Sequence, residues 1–268
     1  MVCIWTISTI IMIGITASQF DTDALRYLNV SGNQGTLARL AVDYLARELK
    51  RNNLWTSMKA FYPMMGTTST MMGANLISNS YNATFFGNWT FSTTGALPDG
   101  SSAYALTGLI PSSVLTLNST TLGFYCRTAT PEATLTGVQI GCGSGLDRTA
   151  IQILKSGTFT ASSRINTSGT TLSGTITSSQ GLFTVTRTSS TLTTAYRNAT
   201  SIGTDSATST NLPTAEICIG ATNISGIRST FSSKELACAF VADGLTAGQV
   251  STLYTIIQNF QTILSRAV

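Results

Sequence analysis

Histidine is absent from this chain. Ser-His-Asp and Cys-His catalysis, His-ligated zinc or haem and an imidazole pH switch are therefore excluded. Charge is scarce as well: Asp, Glu, Lys and Arg make up 10% of the residues, against 43% hydrophobic ones. An ordinary globular domain carries about a quarter charged residues, and a disordered chain combines high charge with low hydrophobicity. Neither description fits. Much of the remainder is Ser, Thr, Gly and Asn, the composition of short strands joined by small polar turns.

The net charge of +4 is spread along the chain. Residues 21–60 carry basic Arg26, Arg39, Arg47, Lys50, Arg51 and Lys59, interleaved with Asp21, Asp23, Asp43 and Glu48. Nucleic-acid binding needs clustered cations that track phosphates, and no dense basic run occurs, so no nucleic-acid partner is expected. Cys3, Cys126, Cys142, Cys218 and Cys238 form no C-x-x-C pair, which leaves a zinc ribbon or thioredoxin motif unsupported. A Cys126–Cys142 or Cys218–Cys238 disulfide is conceivable. Buried free thiols are the preferred reading, because the count is odd and the neighbours are strand-like.

Residues 1–17, MVCIWTISTIIMIGITA, hold no charged residue. A signal peptide would want a basic start, although Thr16-Ala17-Ser18 resembles a cleavage site. A membrane anchor would want about 20 apolar residues. The β-branched Ile4, Ile7, Ile10, Ile11, Ile13 and Ile15 favour an apolar arm buried against a neighbouring subunit. The arm over 1–20 is the first expectation, with signal or anchor, and hence membrane contact, as the alternative.

Helical periodicity is concentrated in residues 21–62, read as a helical connector. Asp21-Thr22-Asp23 caps a short helix ended by Ser31-Gly32. A second runs from about Gln34 to Arg51, with Leu37, Leu40, Ala41, Tyr44, Leu45 and Leu49 on one face, and Arg39, Asp43, Arg47 and Lys50 facing away. Leu54, Met58 and Phe61 or Tyr62 suggest one further helical turn before Pro63. Residues 63–268 then read as one β-sandwich. Runs such as Tyr81–Phe91, Leu115–Cys126, Leu135–Cys142, Ala150–Leu154, Phe159–Ile165, Leu182–Thr188 and Leu236–Val241 alternate with turns at Leu97–Gly100, Gly143–Gly145 and Gln180-Gly181. Asp243-Gly244 makes a turn, and Thr246 with Gln249 reads as a capping box. The closing helix places Val250, Leu253, Tyr254, Ile257, Phe260 and Leu264 on one face.

The order of these pieces resembles the concanavalin A-like, laminin-G-type sandwich. The carrying segments are LPDGSSAY at Leu97–Tyr104, LTLNSTTLGFYCRT at Leu115–Thr128, LFTVTRT at Leu182–Thr188 followed by Leu192–Asn198, AEICIG at Ala215–Gly220, and Leu236–Val241 with DGLTAGQV at Asp243–Val250. The combination of Leu54-Trp55, Met58–Pro63 (MKAFYP), Phe85–Trp89 (FFGNW), Gly244–Thr246, Tyr254 and Phe260–Thr262 is similar to sandwich proteins of tailed bacteriophages. That resemblance implies a mainly β fold and a non-enzymatic virion component on capsid, head fibre or tail. Its implied partners are other virion proteins and copies of itself, in a homo-oligomer, with a host cell-surface glycan as a further candidate. The rival reading is a secreted or membrane-anchored lectin.

Glycosidases of this fold carry E-x-D-x-x-E, whose paired carboxylates act as nucleophile and acid/base. Here Glu132, Glu216 and Glu235 each lack a carboxylate at i+2 or i+5, so no catalytic residues and no enzyme are expected. Gly141-Cys142-Gly143-Ser144-Gly145 lacks the spacing of a phosphate cradle and reads as turn glycines. The N-x-S/T sequons at Asn29, Asn82, Asn88, Asn118, Asn166, Asn198 and Asn223 are what chance gives in so polar a chain. Sugar binding in this fold uses loop-borne Asp or Asn and a stacking aromatic, sometimes with calcium. Asp99, Tyr104, Asp147 and Trp89 are the carbohydrate-binding candidates by type. Each also has a structural reading, as turn former or core. No loop is acidic enough to suggest calcium, so no cofactor or metal is expected.

Overall fold

The computed structural model describes residues 20–32, 35–129, 137–155, 158–169 and 171–268. The apolar segment 1–17, Gln34, Glu132 and the start of the Leu135–Cys142 run lie outside them.

Two helices come first: α1 (Thr22–Ser31) and α2 (Thr36–Arg51). After a 3-10 turn at Trp55–Ser57 come β1 (Met58–Tyr62), α3 (Ser69–Gly73), β2 (Thr84–Phe86), β3 (Trp89–Ser92), β4 (Gly95–Pro98), β5 (Tyr104–Leu106) and α4 (Pro111–Val114). The central strands are β6 (Thr120–Cys126), β7 (Val138–Ser144), β8 (Asp147–Lys155), β9 (Thr158–Thr167), β10 (Leu172–Thr175), β11 (Gly181–Ser189), β12 (Leu192–Arg197) and β13 (Thr200–Asp205). The chain closes with β14 (Cys218–Ile219), β15 (Thr222–Ile224), β16 (Ile227–Ser229), β17 (Leu236–Ala242) and α5 (Ala247–Ile263).

The strands form two sheets. One has eight strands in the order β13-β12-β11-β6-β17-β4-β3, with β1 also on β17. The other has nine, β10-β9-β8-β7-β14-β5-β2, with the β15–β16 hairpin attached to β7. The pairings are antiparallel except β15 on β7, which is parallel. The protein is thus mainly β, a sandwich of two antiparallel sheets with helices before and after it.

Strand alternation sorts the core into two layers. Leu122, Phe124 and Cys126 of β6 point between the sheets, where Phe124 stacks on Phe183 at 5.6 Å and meets Ile140, Ile151 and Ile153 from the facing sheet. Tyr125 points the other way, beneath the helices. On that outer side the register sets Gly123 opposite Phe240 and Phe240 opposite Phe61. The two phenylalanine rings stack at 5.8 Å. A Cβ on Gly123 would sit 2.1 Å from the Phe240 ring, so the glycine is required by this close approach. Ala41, Val42, Leu45 and Leu49 of α2, with Val250, Leu253, Ile257 and Phe260 of α5, cover the layer. The middle of the eight-stranded sheet is therefore buried on both faces, and β6 and β17 are buried at every position, while the edge strands β3 and β13 are not.

Several sequence expectations need correction. The turn expected from Leu54 to Tyr62 is a strand: Met58–Tyr62 pairs with β17, so the sandwich begins before Pro63. Its residues are apolar on both sides because both faces are covered, and that hides the period of two. The run Tyr81–Phe91 is two strands in different sheets, separated where Gly87 takes φ +76°. The strand expected from Leu115 starts only at Thr120. On α2 the buried stripe is rotated toward Ala38, Val42 and Ala46, leaving Leu37 52% exposed. Lys50, expected to face away, instead turns back onto Asp21 and Asp23 at 2.8 and 2.6 Å. The capping box at Thr246 and Gln249 is present, and Asp21 caps α1 through the Asp23 and Ala24 amides. Cys126, Cys142, Cys218 and Cys238 are buried free thiols. Burial pushes the Cys238 thiol up to about 12.

Two arginines lock this frame from inside. Arg266, 1% exposed, donates to Gln261 Oε1 at 2.6 Å and to the carbonyls of Met64, Pro63 and Ala237, each at 2.7 Å. It ties the end of α5 to the ends of β1 and β17. Burial lowers its pKa to about 10, still far above neutrality. Arg187 of β11, fully buried, donates to Ile165 O of the facing sheet at 2.8 Å and to Ser190 and Ala207 carbonyls. We expect Arg266→Ala to lower the free energy of unfolding by about 3 kcal/mol, because several buried acceptors lose their donor together. Urea unfolding with the slope held common to both proteins measures this.

Candidate functional site

With one sheet covered by helices, the outward face of the nine-stranded sheet carries the exposed chemistry. Along β8, Thr149, Ile151 and Ile153 turn inward, and alternation puts Arg148, Ala150 and Gln152 outward. The register with β9 places Ala150 opposite Arg164 and Gln152 opposite Ser162. Beside them β7 contributes Gly141 and Gly143. A Cβ on Gly141 would lie 2.4 Å from Ala150 Cβ, and one on Gly143 would lie 2.7 Å from Arg148 Cδ. These two residues, read as turn formers, lie within the strand. Of the cluster, Gly145 makes the turn, with φ +55°. Lacking side chains, Gly141 and Gly143 leave a low floor over which Arg148 lies.

The wall opposite comes from the β15–β16 hairpin, whose parallel pairing sets Asn223 against Cys142 and Ile224 against Gly143. The result is an open groove of about 260 Å³. Arg148, Ala150, Gln152, Ser162, Arg164 and Thr171 line one side, and Thr222, Ile224, Ser229 and Thr230 the other. Serine and threonine make up half of the lining residues, with Val138, Ala150 and Ile224 supplying apolar surface. Thr222 and Thr230 share a 2.7 Å hydrogen bond, and Arg164 Nε donates to Thr171 Oγ1 at 2.8 Å. Arg148 Nη1 donates to the carbonyls of Gly145 and Asp147 at 2.7 and 3.0 Å. Among the described residues no carboxylate lines the groove. The volume falls below the ordinary range for drug-sized ligands, so the groove suits a small, largely polar unit bound at a surface.

Of the four residues singled out from sequence, three gather around β5. Trp89 lies half-buried, its indole N–H donating to Phe86 O at 3.0 Å and Tyr104 O at 3.3 Å, its ring against Phe85 and Phe91. Tyr104 stacks on the 41%-exposed Phe86 at 5.1 Å, and the Arg228 guanidinium lies 5.5 Å from the Tyr104 ring centre. Asp99 ends the β4 side of the loop before Tyr104 and accepts from the backbone amides of Ser101, Ser102 and Ala103 and from both serine hydroxyls. Asp147 stands apart from these three. It begins β8 next to Arg148 and accepts from Thr210 Oγ1 and, at 3.1 Å, Asn211 Nδ2. None of the four lines the groove; Asp147 directly precedes Arg148, which does, and Arg228, beside the lining Ser229, covers Tyr104. A second cavity, about 540 Å³, lies between Ile110, Thr214–Glu216 and Asn223–Arg228. Glu216 is its single carboxylate, and that side chain accepts from the Gly108 amide at 2.9 Å. Glycoside hydrolysis needs two facing carboxyl groups, and neither hollow offers them among the described residues. No cluster of three metal-ligating side chains occurs among these residues, and no helix among them is long and apolar enough to cross a membrane.

No protein-family profile and no curated protein matches the sequence. Solved structures do match. A botulinum neurotoxin type C structure, described by cell entry that depends on interaction with two ganglioside molecules, superposes with a TM-score of 0.57 at 13% identity, over 78% of this chain and 53% of that one. The binding domain of botulinum neurotoxin serotype D gives 0.51 at 10% identity, over 75% and 52%. A further receptor binding domain gives 0.50 at 14%, over 77% and 52%. The chain spans about half the length of each. These likenesses define the fold class, a β-sandwich shared with binding domains.

Asp99 yields a pH prediction. Slight burial raises its pKa, but the hydrogen bonds from Ser102, Ser101 and Ala103 outweigh this and hold the carboxyl well below the usual range. A depressed folded-state pKa gives stability that is present above about pH 4 and lost as pH falls through the folded value. Asp99→Asn is therefore expected to melt lower than the parent at pH 7. The gap narrows progressively below about pH 4, as thermal melts at stepped pH would record.

Proposed function

We propose that this chain is a non-enzymatic binding protein that recognises a cell-surface glycan through the groove over β7, β8 and β9. The carrying observation is the groove's lining: six hydroxyls, one amide and two guanidiniums beside the apolar Val138, Ala150 and Ile224, with glycines in the floor. Sugars present rings of hydroxyls that both donate and accept, and Ser, Thr and Gln side chains match them group for group. A sheet surface holds such groups in fixed positions, which limits the ordering cost of binding a small polar ligand. Among the described residues the groove carries no facing carboxylates, which supports binding without hydrolysis. The ganglioside dependence stated for one structural neighbour is consistent with glycan recognition by a sandwich of this class, although fold does not dictate function.

The binding protein is further proposed to be a surface component of a bacteriophage particle, in several copies, on capsid, head fibre or tail. Support comes from the motif order Leu54-Trp55, Met58–Pro63, Phe85–Trp89 and Gly244–Thr246. The low charge and hydroxyl-rich composition accord with it.

A glycan array probed with the purified protein is expected to give selective signals. Ala150→Trp, which fills the groove opposite Arg164, should abolish them while preserving the melting transition. A flat array with the parent protein, or undiminished signals with the folded variant, refutes the assignment. Separately, mass spectrometry of purified phage particles is expected to find this polypeptide among the virion proteins, and its absence there would refute the particle assignment.

A further inference from the structure

The groove holds a charge arrangement that the general reading leaves unexplained. Arg148 and Arg164 lie on neighbouring strands of one sheet face. Ala150 sits opposite Arg164, and Arg148 is two residues from Ala150 on the same side. Like charges on adjacent rungs repel. Elsewhere some cations are paired with carboxylates, and the buried Arg187 and Arg266 are met instead by several neutral acceptors. Arg26, Arg47, Lys50, Arg51, Lys59 and Arg127 each have a carboxylate within 4.0 Å. Among the described residues, neither groove arginine has one.

Their hydrogen bonds are also incomplete. A guanidinium carries five N–H donors. Arg148 uses Nη1, on two backbone carbonyls, and Arg164 uses Nε, on Thr171. The remaining nitrogens, Nε and Nη2 of one and both Nη atoms of the other, meet no protein acceptor among the described residues. The bonds already made fix the two side chains. Gly143 keeps the floor low beneath Arg148, since any Cβ there would collide with its Cδ and Nη1 at 2.7 and 2.8 Å.

We infer that the ligand unit in this groove is an acidic sugar, whose carboxylate is gripped by Arg148 and Arg164 and whose hydroxyls meet Gln152, Ser162, Thr222 and Ser229. This rests on the glycan reading above and narrows it. A carboxylate fits the planar guanidinium fork with two parallel charge-assisted bonds, stronger than neutral ones. It would also remove the repulsion between the two cations. The lack of a lining carboxylate among the described residues fits this, because one would compete for the guanidiniums and repel the ligand.

The test is titration calorimetry with two acidic probes, an oligogalacturonide and a sialic acid oligomer. Each is run beside its carboxyl-reduced counterpart, with a neutral glycan panel and dextran sulfate alongside. At least one acidic probe is expected to bind 10-fold or more tightly than its reduced form, with about 10-fold loss in Arg148→Gln and in Arg164→Gln. Both variants should melt as the parent does, since neither residue is paired to a protein carboxylate. If a Gln variant misfolds, the reduced probes on the parent protein still decide. Equal affinity for the reduced and acidic probes, or binding confined to neutral glycans, overturns the acidic-sugar inference and leaves the glycan reading standing. Dextran sulfate bound as tightly as the carboxylates also overturns it, since simple charge attraction would then suffice. If neither acidic nor neutral glycans bind, both readings fall together.

Discussion

The structure depends on the middle of the eight-stranded sheet being buried on both faces. Phe124 and Phe183 stack inward while Phe61 and Phe240 stack outward, and β6 and β17 between them reach no solvent. Burial on this scale supplies the main driving force for folding. It also requires α2 and α5 to be present, since without them Tyr125, Phe240 and Ala237 would face water. Arg266 is the clasp of this arrangement: four hydrogen bonds hold the end of α5 to β1 and β17 at a place where no water can substitute. With one sheet sealed, exposed polar chemistry falls to the outward face of the other.

How much of this the sequence reveals follows from which patterns survive local reading. The fold class was legible because short β-rich runs recur between Gly-rich turns and because α5 carries a complete capping box at Thr246 and Gln249. β1 was not legible, because a strand covered on both sides loses its alternation. Met58-Lys59-Ala60-Phe61-Tyr62 then mimics a helical turn just where helices have preceded it. Asp99 is a clearer success of turn chemistry than of ligand chemistry: an aspartate two, three and four residues before free amides takes all of them. Trp89 shows the opposite limit. Its type suggested a stacking platform, but the indole N–H is spent on Phe86 and Tyr104 carbonyls, and the ring fills space that a Cβ on Gly220 would invade at 2.8 Å.

The groove escaped sequence reading for a different reason. Its side chains are serine, threonine, glutamine and arginine from β8, β9, the segment before β10, β15 and β16, none within a compact motif. One signal was available. Arg148 and Arg164 each stand next to an inward residue, Thr149 and Ile165, so an alternation count along β8 and β9 puts both cations on the open face. What that count cannot supply is the wall. It comes from β15, which returns parallel to β7 and carries β16 with it, and a parallel contact between short strands has no local sequence signature.

That parallel pairing also explains why the sheet has a groove at all. An antiparallel meander spreads its strands side by side and leaves a smooth face. Here β14 and β15 share β7, with β14 at Ile140 and Gly141 and β15 at Cys142 and Gly143. The chain reverses between them through Gly220, whose φ of +81° admits the turn. The hairpin that follows is displaced from the strand order, and its Thr222, Ile224 and Ser229 side chains stand along the groove. Glycines at 141 and 143 then do two jobs: they accept a crowded pairing on one edge and leave room above the sheet on its face. Replacing either would raise the floor and press on Ala150 or Arg148 together, so the residues that permit the unusual pairing are the same ones that keep the binding face open.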